Sequence, residues 1–388
     1  MSTFVLFLAF NVPIAAAQHD EPTTDDASAS SVVTALQATD RASVEVSRLG
    51  PRAESAGQGA NRLVPQFRIT DPTLDALGSS HLAEASPSER AARTIGVVDF
   101  FRGLHVGQCC GEGEVVPPSP DLAAGPVHLI EVVNVSFRVF DHIGSSITPL
   151  ISFESFFAAL GPACAGSFDP TVVYDEESDR YLISTNGGLT TMCLAVSDSG
   201  DPSGAWTIWA IPAGVGDRAY VSPRLGVGDD GIFVGASMFD PNTTEFVEGR
   251  VFAIDKTRLY SGSFSGTTAG VGANFAPQPL HLHGHHQGTW PDLAGHFFVA
   301  NAAEGDRLRL WRWDEPLNGG QLTVDRSFDL AAATGIEARP PVVAKQRGGP
   351  GITGGDNRFR DFEFRNGSGW TTQTIGCLAG NRVTDCIP

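Results

Sequence analysis

FDPTVVYDEESDRYLIS, residues 168–184, decides the fold. Two short apolar runs rich in Val, Ile and Tyr flank a polar turn, Asp175 to Asp179. That pattern is a β-hairpin, because β-branched and aromatic residues suit a half-buried pleated surface and the acidic run suits a solvated turn. The same texture recurs in HLIEVVNVSFRVFD (128–141), GIFVGASMF (231–239), GRVFAID (249–255), GHFFVANA (295–302) and DRLRLWRW (306–313). No long amphipathic helix interrupts these runs, and LISFESFFAALG (150–161) is the best short one. Gly235 inside a strand predicts a close backbone approach.

The strands group into units of about 40–50 residues, the spacing of four-stranded blades. The units run from Pro126 to Leu160, Phe168 to Pro212, Tyr220 to Gly262 and Gly288 to Leu330, with a fifth beginning near Pro340. The expected fold class is therefore all-β, a β-propeller with five visible blades. A jelly roll or β-sandwich is the structural alternative. In LRLWRWDE, period 2 puts Trp311 and Trp313 on one face and Leu308 and Leu310 on the other. Packing between blades is favoured over a sugar platform for the tryptophans.

Several stretches resemble a group of secreted bacterial β-propeller proteins. PPSPDLAAGPVHLIEVVN (117–134) is similar to their PPDxxxAVGPxH…VN opening, with Ser119-Pro120 intruding before Asp121 and Ala124 where Val is common. FDPTVVYDEESDRYLIS, LAVSDSGDPSGAWTIW (194–209) and GGDNRFRDFEFRNGSGWTT (354–372) resemble later segments in the same order. The resemblance spans about 95–376 and implies the propeller fold. It supplies no agreed catalytic set. Members usually continue for two more blades, so a seven-bladed ring truncated at its C-terminus is the expectation, with a five-bladed ring as the other possibility.

Before the propeller, residues 1–17 resemble a secretory signal: an apolar run from Phe4 to Phe10 leads to Ala15-Ala16-Ala17, although the n-region lacks Lys and Arg. Residues 18–93 are rich in Ala, Ser, Pro and acidic residues and read as a disordered leader, with a transient helix in SVVTALQATDRASVEVSRL. Residues 94–388 are the propeller domain. A secreted or periplasmic location is expected. The apolar run is too short to span a bilayer. Six cysteines suit an oxidising compartment. Cys164 with Cys193 and Cys377 with Cys386 could pair; the vicinal Cys109-Cys110 is harder to place.

With 44 acidic against 26 basic residues and a net charge of −18, the chain shows no basic patch. Nucleic acid and anionic membranes are therefore excluded as partners. No G-x-S-x-G elbow, H-E-x-x-H, Walker or Rossmann element occurs in its required context. Three candidate sites remain. HLHGHHQGTWPD (281–292) holds four of the ten histidines. In an extended strand His281, His283 and His285 share a face and could hold Zn2+; Pro277, Pro279 and Gly284 argue instead for an inter-blade loop. Such histidines would serve a metal-dependent oxidoreductase only if they converge. Asp121, Asp169, Asp292 and Asp356 each open a blade motif, and could supply a glycosidase pair or a Ca2+ site, or merely cap their own turns. SGDPSGAW (199–206) resembles the Asp-box of sialidase-like propellers, in which Asp201 caps a turn and Trp206 packs between blades. The expected function is a secreted non-enzymatic propeller that binds an extracellular glycan or protein. The alternative is a carbohydrate-active propeller hydrolase with a carboxylate pair at its rim.

Overall fold

The computed structural model describes residues 3–11, 32–50, 101–104, 118–302, 307–330, 332 and 358–376. Cys109, Cys110, Cys377, Cys386 and Asp356 lie outside the described residues. So do most of the signal-like and leader segments and the expected start of the fifth unit at Pro340.

Among the described residues five blades, antiparallel except for one short parallel pair in the fifth, form a β-propeller. Blade I comprises β4 (Asp121–Ala124), β5 (His128–Val133), β6 (Ser136–Asp141) and β7 (Ile151–Ser152). Blade II comprises β8 (Phe168–Asp175), β9 (Arg180–Gly187), β10 (Thr191–Ser197) and β11 (Ala205–Pro212), so the 168–184 segment is the hairpin its pattern predicts. Blade III holds β12 (Ala219–Val227), β13 (Gly231–Phe239), β14 (Phe246–Asp255) and β15 (Gly266–Gly270). Blade IV holds β16 (Phe275–Pro279), β18 (His296–Asn301), β19 (Arg307–Trp313) and β20 (Leu322–Asp329). Blade V is assembled from three places: β17 (His281–Leu282), β21 (Phe359–Arg365) with β22 (Ser368–Gly376), and the N-terminal β1 (Thr3–Asn11).

Three assignments depart from the sequence reading. Residues expected to be leader supply β2 (Thr34–Leu36) and β3 (Asp40–Glu45), which pair with the outer strands β15 and β11. No transient helix forms there beyond the 3-10 turn Val46–Arg48. β3 in fact alternates: Ala42 and Val44 pack against the I–II cluster, with Val46 buried in it, while Arg41, Ser43 and Glu45 take the other positions, a strand signal that the leader composition masked. The signal-like run likewise pairs along β22 from Thr3 to Asn11. Blade IV begins at Phe275 rather than Gly288, and the chain after it crosses to blade V, where β17 lies parallel to β21.

Apolar clusters fill four of the blade interfaces. Phe137, Phe156 and Trp206 lie between blades I and II, with Phe156 edge-on to Trp206 at 5.5 Å. Trp209, Tyr220 and Phe252 lie between II and III. Trp311 and Trp313 fill the III–IV interface, and Leu308 and Leu310 on the opposite face fill IV–V with Phe359, Phe362 and Phe364. Period 2 on β19 thus feeds two interfaces at once, and the tryptophans are packing residues. At the V–I seam Leu122 and Trp370 are 58 % and 47 % exposed, and no apolar cluster joins the two blades among the described residues.

A second, polar repeat accompanies the apolar one. The inner strands of blades II to V each carry one extra residue in the left-handed region: Asp169, Ser222, Ala276 and Asp361. Ser119 has the same conformation just before β4. In blades I to IV a proline follows, as Ser119-Pro120, Asp169-Pro170, Ser222-Pro223 and Ala276-Pro277, which keeps the preceding residue out of the helical region. A buried side chain from the preceding blade binds each bulged segment. Asn134 accepts from Asp169 N–H at 2.6 Å, and Asn186 donates to Tyr220 O at 3.1 Å. Ser237 accepts from Ala276 N–H and Asn301 from Phe359 N–H, both at 3.1 Å.

The pairing Cys164–Cys193 is confirmed as a disulfide; it ties the 3-10 turn Ala158–Cys164, which follows the short helix α1 (Phe153–Phe156), to β10. In the Asp-box-like turn Asp201 accepts from Ser203 N–H at 2.9 Å, and Trp206 is fully buried. Gly235 makes the close approach its position predicts: a Cβ there would meet Pro277 O at 1.9 Å. Gly235→Ala should therefore push blades III and IV apart and lower unfolding free energy by about 3 kcal/mol or more. Urea denaturation measures it, with Gly50→Ala, where an added Cβ meets nothing and φ is not positive, as the comparison.

Candidate functional site

The inner strands enclose a cavity of about 270 Å3 at the centre of the ring. Every blade contributes: Asp121 from I, Thr171 and Tyr174 from II, Leu225 from III, Gln278 from IV, and Asp361, Glu363 and Arg365 from V. Glu176, just beyond β8, and His281 and His283 complete the polar wall. On β21 the residues Phe362 and Phe364 are buried in the IV–V cluster, so the alternate positions Glu363 and Arg365 turn to the cavity. The bulge at Asp361 resets the phase, which lets Phe359 share the buried side and aims Asp361 inward as well.

The expected histidine trio does not converge. His281 and His283 come together, with ring centroids 4.4 Å apart, but Gly284 at φ +99 turns the chain and leaves His285 exposed against Trp290. Glu363 takes the third place: His281, His283 and Glu363 bring one potential ligand atom each within 4.8 Å of one another. The carboxylate comes from a strand some eighty residues away, which is why local spacing does not reveal it.

The hydrogen bonds define what this cluster is. His281 is buried and its Nδ1 accepts from Val227 N–H at 3.1 Å, so the ring proton sits on Nε2. His283 faces Glu176 Oε1 through Nδ1 at 2.9 Å and Glu363 Oε2 through Nε2. Ionised carboxylates only accept, so both ring nitrogens donate and His283 is an imidazolium. To ligate a cation, His283 would have to lose a proton and a carboxylate partner, and His281 would have to move its proton to Nδ1 and forfeit the Val227 bond. As bonded, the group is a proton site and does not fit a ready-made zinc site.

Electrostatics follow the same pattern. Burial lowers the pKa of His283, but the bonds to Glu363 and Glu176 outweigh it and leave the net shift upward. Burial would raise Glu176, yet the His283 bond and the Gly284 amide bring it below the usual carboxylate range. Glu363 is also lowered: burial is overcome by His281, His283 and Arg365. Asp361 moves the other way. Its residue surface is exposed at the cavity, yet protein surrounds the carboxyl, and desolvation, only partly opposed by Arg224 and reinforced by Asp121 and Glu363, pushes it up to about 6. Desolvation drives His281 down to about 4.

Of the four aspartates singled out by sequence, Asp356 lies outside the described residues, and the other three are not brought together. Asp121 lines the cavity, but its Oδ2 is held by Thr171 Oγ1 at 2.9 Å and Val172 N–H at 3.0 Å, which joins blade I to blade II. Asp169 accepts from Ser119 Oγ at 3.0 Å in the bulge repeat. Asp292 is exposed on the loop after His283. The cavity carboxylates Glu176, Asp361 and Glu363 were missed. Only Asp361 left a signal, as the one bulge residue not followed by proline.

Two outcomes are expected. A depressed histidine pKa gives stability that is present above the unfolded value of 6.5 and is lost as pH falls toward about 4. His281→Asn, whose Oδ1 can still accept from Val227, should flatten that acid loss by about 3 kcal/mol in denaturation curves from pH 7 to 4. An unchanged pH slope would count against the assignment. Equimolar Zn2+ should leave the melting temperature unchanged; a rise that disappears in His283→Ala would show that the cluster rearranges to hold metal.

No family model and no curated protein matches the chain. Among solved structures, it is similar to a GH62 hydrolase in complex with xylotriose, at 13 % identity over 53 % of this chain and 68 % of that one, with a TM-score of 0.29. It is similar to the catalytic domain of the Coprinopsis cinerea GH62 alpha-L-arabinofuranosidase, at 13 % identity, 67 % and 92 % coverage and a TM-score of 0.31. It is also similar to the native Bacillus subtilis arabinanase, at 11 % identity, 55 % and 95 % coverage and a TM-score of 0.29.

Proposed function

We propose that this chain is a carbohydrate-active propeller hydrolase with Asp361 as general acid and Glu363 as its ionised partner. The observation that carries the reading is that the two carboxylates are close on one strand, line one cavity, and are shifted in opposite directions. Environments that separate the pKa values of neighbouring carboxylates are what acid/base assignment in glycoside hydrolysis needs. Asp361 gives its proton to the leaving glycosidic oxygen. Glu363, with one oxygen fixed by His283, stabilises the developing positive charge on the sugar ring or takes a proton from the attacking water.

A binding module would offer a broad aromatic rim; here Trp206, Trp209, Trp311 and Trp313 are buried and the exposed Trp370 does not line the cavity, which weighs against it. The buried disulfide supports an oxidising compartment and hence a secreted or periplasmic location. No helix among the described residues is long and apolar enough to cross a membrane.

The test is release of reducing ends from a panel of polysaccharides. Asp361→Asn and Glu363→Gln should each lower the rate on any responsive substrate by about 100-fold or more. Wild-type activity should decline as pH rises through about 6, where Asp361 loses its proton. Full activity in both variants would sink the assignment.

A further inference from the structure

We infer that the cavity is a blind pocket which admits only the terminal residue of a glycan, so that cleavage is exo-acting; this rests on the hydrolase reading. The cause is the segment from Leu280 to His285, which bars the channel. His281 is bound by Val227 of blade III. His281 and Leu282 then lie along Glu363 and Phe364 on the channel edge of blade V, and His283 N–H donates to Phe364 O at 3.2 Å. The His283 ring reaches Glu363 of blade V on one side and Glu176 of blade II on the other. Blades II and V are separated by blade I in the ring, so this bridge runs across the opening and not along a blade contact.

Glu176 is the catch for the strap. One oxygen takes His283 Nδ1; the other takes the amides of Gly284 at 2.9 Å and His285 at 3.2 Å. The sharp turn that brings both amides to one carboxylate needs Gly284: it has φ +99, and a Cβ there would lie 2.1 Å from Thr289 Oγ1. With one side of the cavity formed by His281 and His283, a polymer cannot thread through it. The volume of about 270 Å3 lies just below the usual range for ligand pockets, room for one small ring and not for a run of several. Arg365 and Gln278 supply a donor and an acceptor on the walls for the hydroxyls of such a ring.

The experiment pairs product analysis with hydrogen exchange on the full chain. Hexasaccharides of xylan, arabinan, galactan and glucan, labelled at the reducing end, are digested and followed in time. A ladder that shortens by one residue per step supports the inference; early appearance of mid-length fragments overturns it while leaving the hydrolase reading intact. Glu176→Ala should loosen the strap and shift the products of a cleaved ladder toward internal fragments, with Glu176→Gln retaining more of the wild-type pattern. If every ladder stays whole, the hydrolase reading fails on these backbones, and exchange decides the strap alone. The amides of Gly284 and His285 should exchange at least ten times faster in Glu176→Ala than in the wild type. Equal exchange in the two proteins would overturn the strap, and with it the blind pocket.

Discussion

The fold depends on how the inner strands of blades II to V are fastened to the blade before them. A strand bulges, one residue enters the left-handed region, and a buried Asn or Ser of the preceding blade binds the backbone that the bulge leaves unpaired. Without that partner the freed amide or carbonyl would sit buried and unsatisfied, at a cost of about 1–3 kcal/mol. The tie fixes the height of one blade relative to the next, and the apolar clusters then pack in register on either side. Hydrophobic burial supplies most of the driving force, but it is not directional. The polar tie sets where the inner strands end and therefore which side chains reach the centre.

Blade V uses the same device differently. Its bulge residue, Asp361, is followed by Phe362 and not by proline, although the tie from Asn301 falls two residues before the bulge as it does in blade III. The bulge phases β21 so that Phe359, Phe362 and Phe364 share the IV–V core while Asp361, Glu363 and Arg365 meet the cavity. A carboxyl group in that position is desolvated beside other acids, and its proton is held more tightly. The neighbouring Glu363 escapes the same fate because His281, His283 and Arg365 together outweigh its burial. His283 bridges the two carboxylates across the opening, and their difference from Asp361 arises from placement, not residue type.

The strap gives the histidine-rich stretch a role that neither a zinc site nor a plain loop describes. HLHGHH carries the chain out of blade IV, adds a short parallel strand to blade V and reaches blade II through one ring. Parallel pairing of this kind needs a partner distant in sequence, and β21 comes some eighty residues later. Leu282 meets the IV–V cluster, so the crossing is anchored by burial as well as by charge.

Alternation of apolar and polar residues was enough to reveal the hairpins, the blade-sized spacing, the two-faced packing of β19, the close approach at Gly235 and the turn held by Asp201. Each of these follows from neighbours a few residues apart, because strand periodicity and turn chemistry are local properties. The pairing of Cys164 with Cys193 was legible for a similar reason, since both flank one hairpin. The use of residues 34–45 as edge strands, the crossing of His281 and Leu282 to blade V, and the meeting of Glu176, His283, Asp361 and Glu363 were settled only in three dimensions. Ala42, Val44 and Val46 alternate as a strand does, but nothing local names the blade they join, and a carboxylate's proton affinity depends on the charges and solvent around it. The sequence determined that there would be blades; ring closure decided which acids would face one another across the centre.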